Sequence, residues 1–325
     1  MMNIIMTKYV NFYISEVKMD QATLEKKLET AVKVGKPAIF FGEVATYIPE
    51  LRNVNKDDLG ICVCTKDGLV ATAGDADVRF TMQSISKIIS LAVALEECGF
   101  KRVFAKVGME PSGEAFNSLV ELDLNSNKPF NPMINSGALT VASLIVSEFS
   151  FDEMLEKSRI LCMDPDMDMN EAVFKSEMSH VSRNRAIAYL LESKGIIEAD
   201  VEESLEFYTK MCSLNVTAKT LANLALVLAN DGINPHTGEV LISKEVVRVI
   251  KTIMLTCGMY DGSGEFAVHV GIPTKSGVGG GLMSVVDKRM GIGIYSPSLD
   301  PKGNCIAGRP MLEYLAQEFH LHMFD

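Results

Sequence analysis

The 325-residue chain has no CxxC pair, no HxxxH pair, no surplus of basic charge and no apolar run of membrane-spanning length. Each absence removes a class of function. Seven cysteines stand at 62, 64, 98, 162, 212, 257 and 305, an odd count without regular spacing. That pattern reads as reduced thiols of a cytoplasmic protein, not as a disulfide framework. Among the five histidines, His320 and His322 share the tail "FHLHMFD", which reads as a solvated terminus; no metal site is expected. With 31 basic against 42 acidic residues the net charge is −11, which argues against nucleic acid or an anionic membrane as a partner. The apolar stretch "GALTVASLIVS" falls well short of the about 20 residues a membrane helix needs. The opening "MMNIIMTKYVNFYISEVKM" lacks a charged segment followed by an unbroken apolar one, so it is a poor signal peptide, and Met19 would also serve as an initiator. No repeat, low-complexity tract or linker divides the chain. It is read as one unit over residues 1–325.

What is present is the balance of an ordinary globular protein, with 47% hydrophobic and 22% charged residues. Residues 20–34 carry Leu24, Leu28, Ala31 and Val32 at helical spacing. "LGICVCTKDGLVATAGD" reads as a β-hairpin turned at Asp67-Gly68, with Ile61, Val63 and Thr65 alternating with two cysteines. "ISKIISLAVALEECGF" is helical, and Gly99 is its expected stop. From about 100 to 256 the pattern is mostly helical. Its clearest case is "TAKTLANLALVLANDG", with Thr217 as N-cap and Gly232 as terminator; a second helix starts at Ser243. After Gly258 the Gly- and Val-rich "FAVHVGIPTKSGVGGGLMSVVDKRMGIGIYSP" reads as strands with a turn at Asp287-Lys288. The order strands, helices, strands predicts an α+β fold, with one antiparallel sheet built from both chain ends and a helical insertion between.

The chemistry is concentrated in "TMQSISKIIS". Ser84 and Lys87 lie one turn apart and face the same way on a helix. This is either a polar helix start with a surface lysine or a nucleophile with its base. Serine needs a base to attack. Lys87 could serve only if neutral, and burial or a second nearby cation would lower its pKa from about 10.4. Ile85, Ile88 and Leu91 make the surroundings apolar, and a second lysine occurs in "PTKSGVGGG". SxxK followed by a KTG-like strand is a signature of serine β-lactamases and penicillin-binding proteins, and Lys275-Ser276-Gly277 fits its second part. The SxN element of those enzymes has two formal matches, Ser182-Arg183-Asn184 and Ser213-Leu214-Asn215. The glycines at 277, 279, 280 and 281 follow the lysine, so they do not make a phosphate loop. On a strand they would let a substrate approach the backbone.

Over nearly all of residues 20–318 the sequence resembles the bacterial serine-dependent glutaminases. The stretches that carry the resemblance include "VATYIPEL", "GDADVRFTMQSISK", "EPSGEAFNS", "NPMINSGAL", "FKSEMSHVSRNRAIAYLL", "FYTKMCSLNVT", "CGMYDGSGEFAVHVGIPTKSGVGGG" and "GIGIYSPSLDPKGN". Ser136 departs from the usual alanine, and residues 1–19 and the tail fall outside the pattern. The resemblance implies a serine β-lactamase-like fold, hydrolysis of L-glutamine to L-glutamate and ammonia, and no cofactor. It implies Ser84 as nucleophile, Lys87 as base, Tyr260 as the hydroxyl that protonates the leaving ammonia, and the N–H groups of Ser84 and Val278 as oxyanion hole. Substrate recognition carries over to Tyr47, Asn135, Glu177, Asn184 and Tyr208. A homodimer or homotetramer is implied as well. Read singly, these residues have plainer roles: Asn135 as a helix cap, Glu177 as a solvated charge, Tyr208 and Tyr260 as core residues with satisfied hydroxyls. A penicillin-recognising enzyme of the same fold and a silent glutamine-binding protein are the rival readings.

Overall fold

The computed structural model describes residues 20–118 and 128–325. The reading of residues 1–19 as an extension, with Met19 as an alternative start, lies outside the described residues. In chain order the elements are α1 (Gln21–Gly35), β1 (Gly60–Thr65), β2 (Val70–Gly74), β3 (Phe80–Thr81), α2 (Ser86–Glu97) and α3 (Gly99–Lys106). Then follow α4 (Asn135–Ile145), α5 (Phe151–Cys162), α6 (Glu171–Ser179), α7 (Ser182–Ser193), α8 (Val201–Cys212), β4 (Asn215–Val216), α9 (Ala218–Ala229) and α10 (Lys244–Cys257). The chain closes with α11 (Ser263–His269), β5 (Thr274–Gly277), β6 (Gly281–Val286), β7 (Met290–Tyr295) and α12 (Gly308–Phe319).

The main sheet has the order β2-β1-β7-β6-β5 with antiparallel pairing throughout, so strands from the two chain ends meet where β1 lies beside β7. The expected hairpin forms, with Gly68 at φ 94° in its turn. β1 is buried along its whole length. Ile61 and Val63 pack with Leu24, Leu28, Met311 and Leu315 of α1 and α12 on one face. Cys62 and Cys64 pack with Ala218, Ala222 and Leu226 of α9 on the other. Burial on both faces is why the strand reads as a continuous apolar run. The helical insertion has its own core, formed around α2, α4, α8, α9 and α10.

Glycines on β7 set the distance to α9. A Cβ added to Gly293 would lie 1.9 Å from the Ala218 carbonyl oxygen, and one on Gly291 would lie 2.1 Å from that of Ala222. The helix therefore rests directly on the strand backbone.

Two sequence expectations need correction. The stretch around "FAVHV" is not a strand: Ser263–His269 is helical. Phe266 and Val270 are buried while Val268 is exposed, so burial follows a spacing of four and not of two. Gly99 does not simply end a helix either. With φ 78° it turns the chain from α2 straight into α3.

Replacing Gly293 by alanine is expected to destabilise the protein by about 2 kcal/mol or more, since backbone has to move to admit the methyl group. The control is Gly264→Ala in α11, where a Cβ meets nothing within 4 Å. Urea unfolding of both variants checks this; equal stabilities would contradict the close approach of α9.

Candidate active site

Ser84 does not open α2. It sits in a 3-10 turn, Gln83–Ile85, two residues before the helix begins. The strand β3 pairs with β4, and the Met82 N–H donates to the Leu214 carbonyl at 2.8 Å. Gln83 then takes a left-handed backbone, φ 49°. This reversal brings Ser84 to a cleft enclosing about 540 Å³ of space, its open mouth included. The β5–β6 hairpin lies against the same segment. A Cβ on Gly277 would come within 2.7 Å of the Met82 carbonyl oxygen, and one on Gly279 within 2.4 Å of that of Thr81. The glycines thus admit the protein's own nucleophile-bearing backbone, a role that the sequence reading had given to substrate.

Lys87 is fully enclosed, and burial lowers its pKa from 10.5 to about 8, against the opposing pull of Cys212 and Glu177. Its Nζ donates to the Met133 carbonyl at 3.0 Å and to Asn135 Oδ1 at 2.7 Å. A neutral amine has two N–H groups and one lone pair, so these two acceptors satisfy the neutral form. Lys275, on β5, is equally buried, and its pKa falls well below 10.5 through burial and then through the charge of Lys87. Its Nζ donates to the Ser276 carbonyl at 2.5 Å and to that of Gly258 at 3.3 Å, and lies 4.6 Å from the centre of the Tyr260 ring. The Tyr260 hydroxyl donates to the Ser276 carbonyl at 3.2 Å and also interacts with the Ser84 side chain. Burial raises the Tyr260 phenol above its usual value of 10. Like Gln83, Tyr260 is left-handed, with φ 53°.

Asn135, the first residue of α4, links the groups. Its Oδ1 accepts from Lys87 and, at 3.3 Å, from the Tyr208 hydroxyl, while its Nδ2 donates to Asn184 Oδ1 at 2.9 Å. Glu177 on α6 is no solvated charge. It is buried, and burial lifts its carboxyl from 4.5 to about 7, although Gln83 and Lys87 hold it down. Tyr47 keeps 55% of its surface exposed, yet burial around its hydroxyl raises its pKa well above 10.

Of the residues singled out from the sequence, Tyr47, Ser84, Asn135, Glu177, Asn184, Tyr208 and Val278 line this one cleft. Lys87 and Tyr260 stand behind its wall, against Asn135 and Ser84. The sequence reading missed Gln83, which lines the cleft beside Glu177 with Nε2 at 3.5 Å from its Oε2. It also missed Phe116, whose ring lies 4.7 Å from that of Tyr260. The stretch "MQSISK" held the only signal for Gln83, and Phe116 had none beyond its place in "EPSGEAFNS". Among the described residues no group of His, Cys, Asp or Glu is arranged to hold a metal, and no helix is long and apolar enough to cross a membrane.

An antiparallel sheet drawn from both chain ends, a helical insertion and a serine–lysine pair under a glycine-rich hairpin define a hydrolase of the serine β-lactamase-like fold. A family profile, Glutaminase, matches residues 42–324, and the chain belongs to the glutaminase family. Glutaminase 2 of Clostridium perfringens is 50% identical over 301 residues, which cover 91% of this chain and 99% of the relative. The crystal structure of a probable glutaminase of Bacillus subtilis superposes with a TM-score of 0.87 at 40% identity, covering 93% of this chain and 98% of the other. A Bacillus subtilis glutaminase in covalent complex with 5-oxo-L-norleucine, formed by reaction with 6-diazo-5-oxo-L-norleucine, gives 0.84 at 40% identity, covering 92% and 99%.

The raised Glu177 pKa has a consequence for stability. Between pH 4.5 and about 7 the folded state keeps a proton that the unfolded chain has released, so folding weakens as pH rises through that window. Holding the group at about 7 corresponds to about 3 kcal/mol. The Glu177→Gln variant is therefore expected to be more stable than the parent at pH 8 by about 2–3 kcal/mol, with no such decline on leaving pH 4.5. Denaturant unfolding across pH 4–8 checks this, and parallel curves for the two proteins would rule it out.

Proposed function

We propose that this glutaminase hydrolyses L-glutamine to L-glutamate and ammonia through a glutamyl ester on Ser84. The observation that carries the reading is the enclosed Lys87 amine, one turn from Ser84 and held by two acceptors that suit its neutral form. Lys87 takes the Ser84 proton as Oγ attacks the side-chain amide carbon. The oxyanion that forms lies between the N–H groups of Ser84 and Val278, each worth about 3–4 kcal/mol of barrier. Tyr260 passes a proton to the departing nitrogen, and the C–N bond breaks to leave ammonia and the ester. The Tyr260 phenolate takes a proton from water as the water oxygen attacks the ester carbon, the bond from that carbon to Ser84 Oγ breaks, and Lys87 returns its proton to Oγ as glutamate is freed. Atoms and charge balance with water as the sole co-reactant.

Recognition follows from charge. Glutamine is a zwitterion, and Glu177, once ionised, pairs with its α-ammonium. The Tyr47 and Tyr208 hydroxyls and the Asn184 amide suit the α-carboxylate. Asn135 Oδ1 is already occupied by Lys87 and Tyr208, so Asn135 meets substrate through a remaining N–H. The cleft draws on segments from residue 47 to residue 278, which supports the chain acting as one functional unit. Seven unpaired cysteines and a net charge of −11 support a cytoplasmic site of action, and family likeness supports a homodimer or homotetramer.

Two outcomes test the chemistry. Ser84→Ala is expected to abolish ammonia release from glutamine while the circular dichroism spectrum stays unchanged; normal turnover in that variant would end the mechanism. For the parent protein, kcat/KM is expected to rise with pH through about 7, as Glu177 ionises, and again through about 8, as Lys87 loses its proton. Lys87→Arg should stay inactive across that range because arginine does not become neutral. An active arginine variant would show that Lys87 is not the base.

A further inference from the structure

Ser86 has no part in the chemistry above, yet it is buried beside the nucleophile. Its Oγ donates to the Gln83 carbonyl at 2.8 Å, and its backbone N–H donates to the same oxygen. Both lone pairs of that carbonyl are therefore filled by one residue. Gln83 is the residue with φ 49°, a conformation that a side chain with a Cβ disfavours. Such strain persists only where the surroundings over-determine it, and it gathers at functional sites. The Gln83 side chain is tied down as well, with Nε2 3.3 Å from Thr81 Oγ1 and 3.5 Å from Glu177 Oε2. The Cys212 thiol of α8, its Sγ 3.8 Å from Ser86 Oγ, is a second and more distant acceptor for the same hydroxyl.

We propose that Ser86 is a positioning residue: its hydroxyl holds Gln83 in the left-handed turn that aims the Ser84 hydroxyl into the cleft. Without that bond the turn relaxes toward ordinary backbone angles, and Ser84 spends less time in line for attack. The rate of attack falls while the groups that bind the substrate head group stay where they are.

The inference rests on Ser84 being the nucleophile, and the experiment separates the two. Ser86→Ala is expected to lower kcat for glutamine about 3–10-fold with KM within about twofold, the range a single hydrogen bond gives. Ser86→Thr keeps the hydroxyl and is expected to recover kcat to within about twofold of the parent. Assays run well below the unfolding temperature of each variant, since a purely structural residue would shift that temperature and leave kcat alone. An alanine variant with the parent kcat overturns the proposal, as does a threonine variant as slow as the alanine one. A parent protein that releases no ammonia, or a fully active Ser84→Ala variant, would instead remove the nucleophile assignment.

Discussion

The withdrawal of the Lys87 amine from water is the constraint around which the site is arranged. An ammonium buried at that depth would have to be compensated, and the neighbours offer only partial compensation. Met133 and Asn135 supply two acceptors, enough for the neutral amine and one short for the cation. Burial lowers the pKa of both lysines, Lys87 against the pull of Cys212 and Glu177, and Lys275 with the charge of Lys87 adding to the shift against the pull of Cys212 and Cys257. Lys275 donates to the Ser276 and Gly258 carbonyls beside Tyr260.

Two close approaches in the fold depend on glycine. The α9 helix can lie on β7 because positions 291 and 293 lack a Cβ, and the β5–β6 hairpin can lie on residues 81–82 because positions 277 and 279 lack one. The two close approaches belong to one construction. The first seats α9 on the sheet, and the second brings the Val278 hairpin up to the segment that leads into Ser84. A protein that used larger residues at these four positions would have to move backbone at both contacts.

Much of this was legible in residue patterns. Thr217 and Ser243 cap the helices their positions suggest, the Asp67-Gly68 hairpin forms, and the strands from both chain ends share one sheet. The cleft residues were legible only through likeness to a family, since Glu177 and Asn184 on exposed-looking helices carry no local sign of burial. The stretch 263–270 was misread because Phe266, Val268 and Val270 fit both a two-residue and a four-residue period. Only the packing partner of each side chain distinguishes them. The role of Gly277 and Gly279 was misread for a related reason: a sequence shows that backbone can be approached closely, not what approaches it.

Left-handed backbone at Gln83 and Tyr260 was beyond any such reading, because nothing in the propensities of glutamine or tyrosine favours it. Gln83 directly precedes the proposed nucleophile Ser84, and Tyr260 carries the hydroxyl proposed to protonate the leaving nitrogen. Both are held from outside their own backbone, Gln83 by Ser86 and Glu177, Tyr260 by Lys275 and Phe116. The charges join the same logic. Glu177 raises the pKa of Lys87, and Lys87 lowers that of Glu177. In the binding mode proposed above, Glu177 receives the α-ammonium of the substrate, and the new positive charge would offset its pull on Lys87. Lys87 then loses its proton at a lower pH than in the empty cleft. On this coupling, the binding mode proposed above would favour the neutral form of Lys87 that the proposed base role requires.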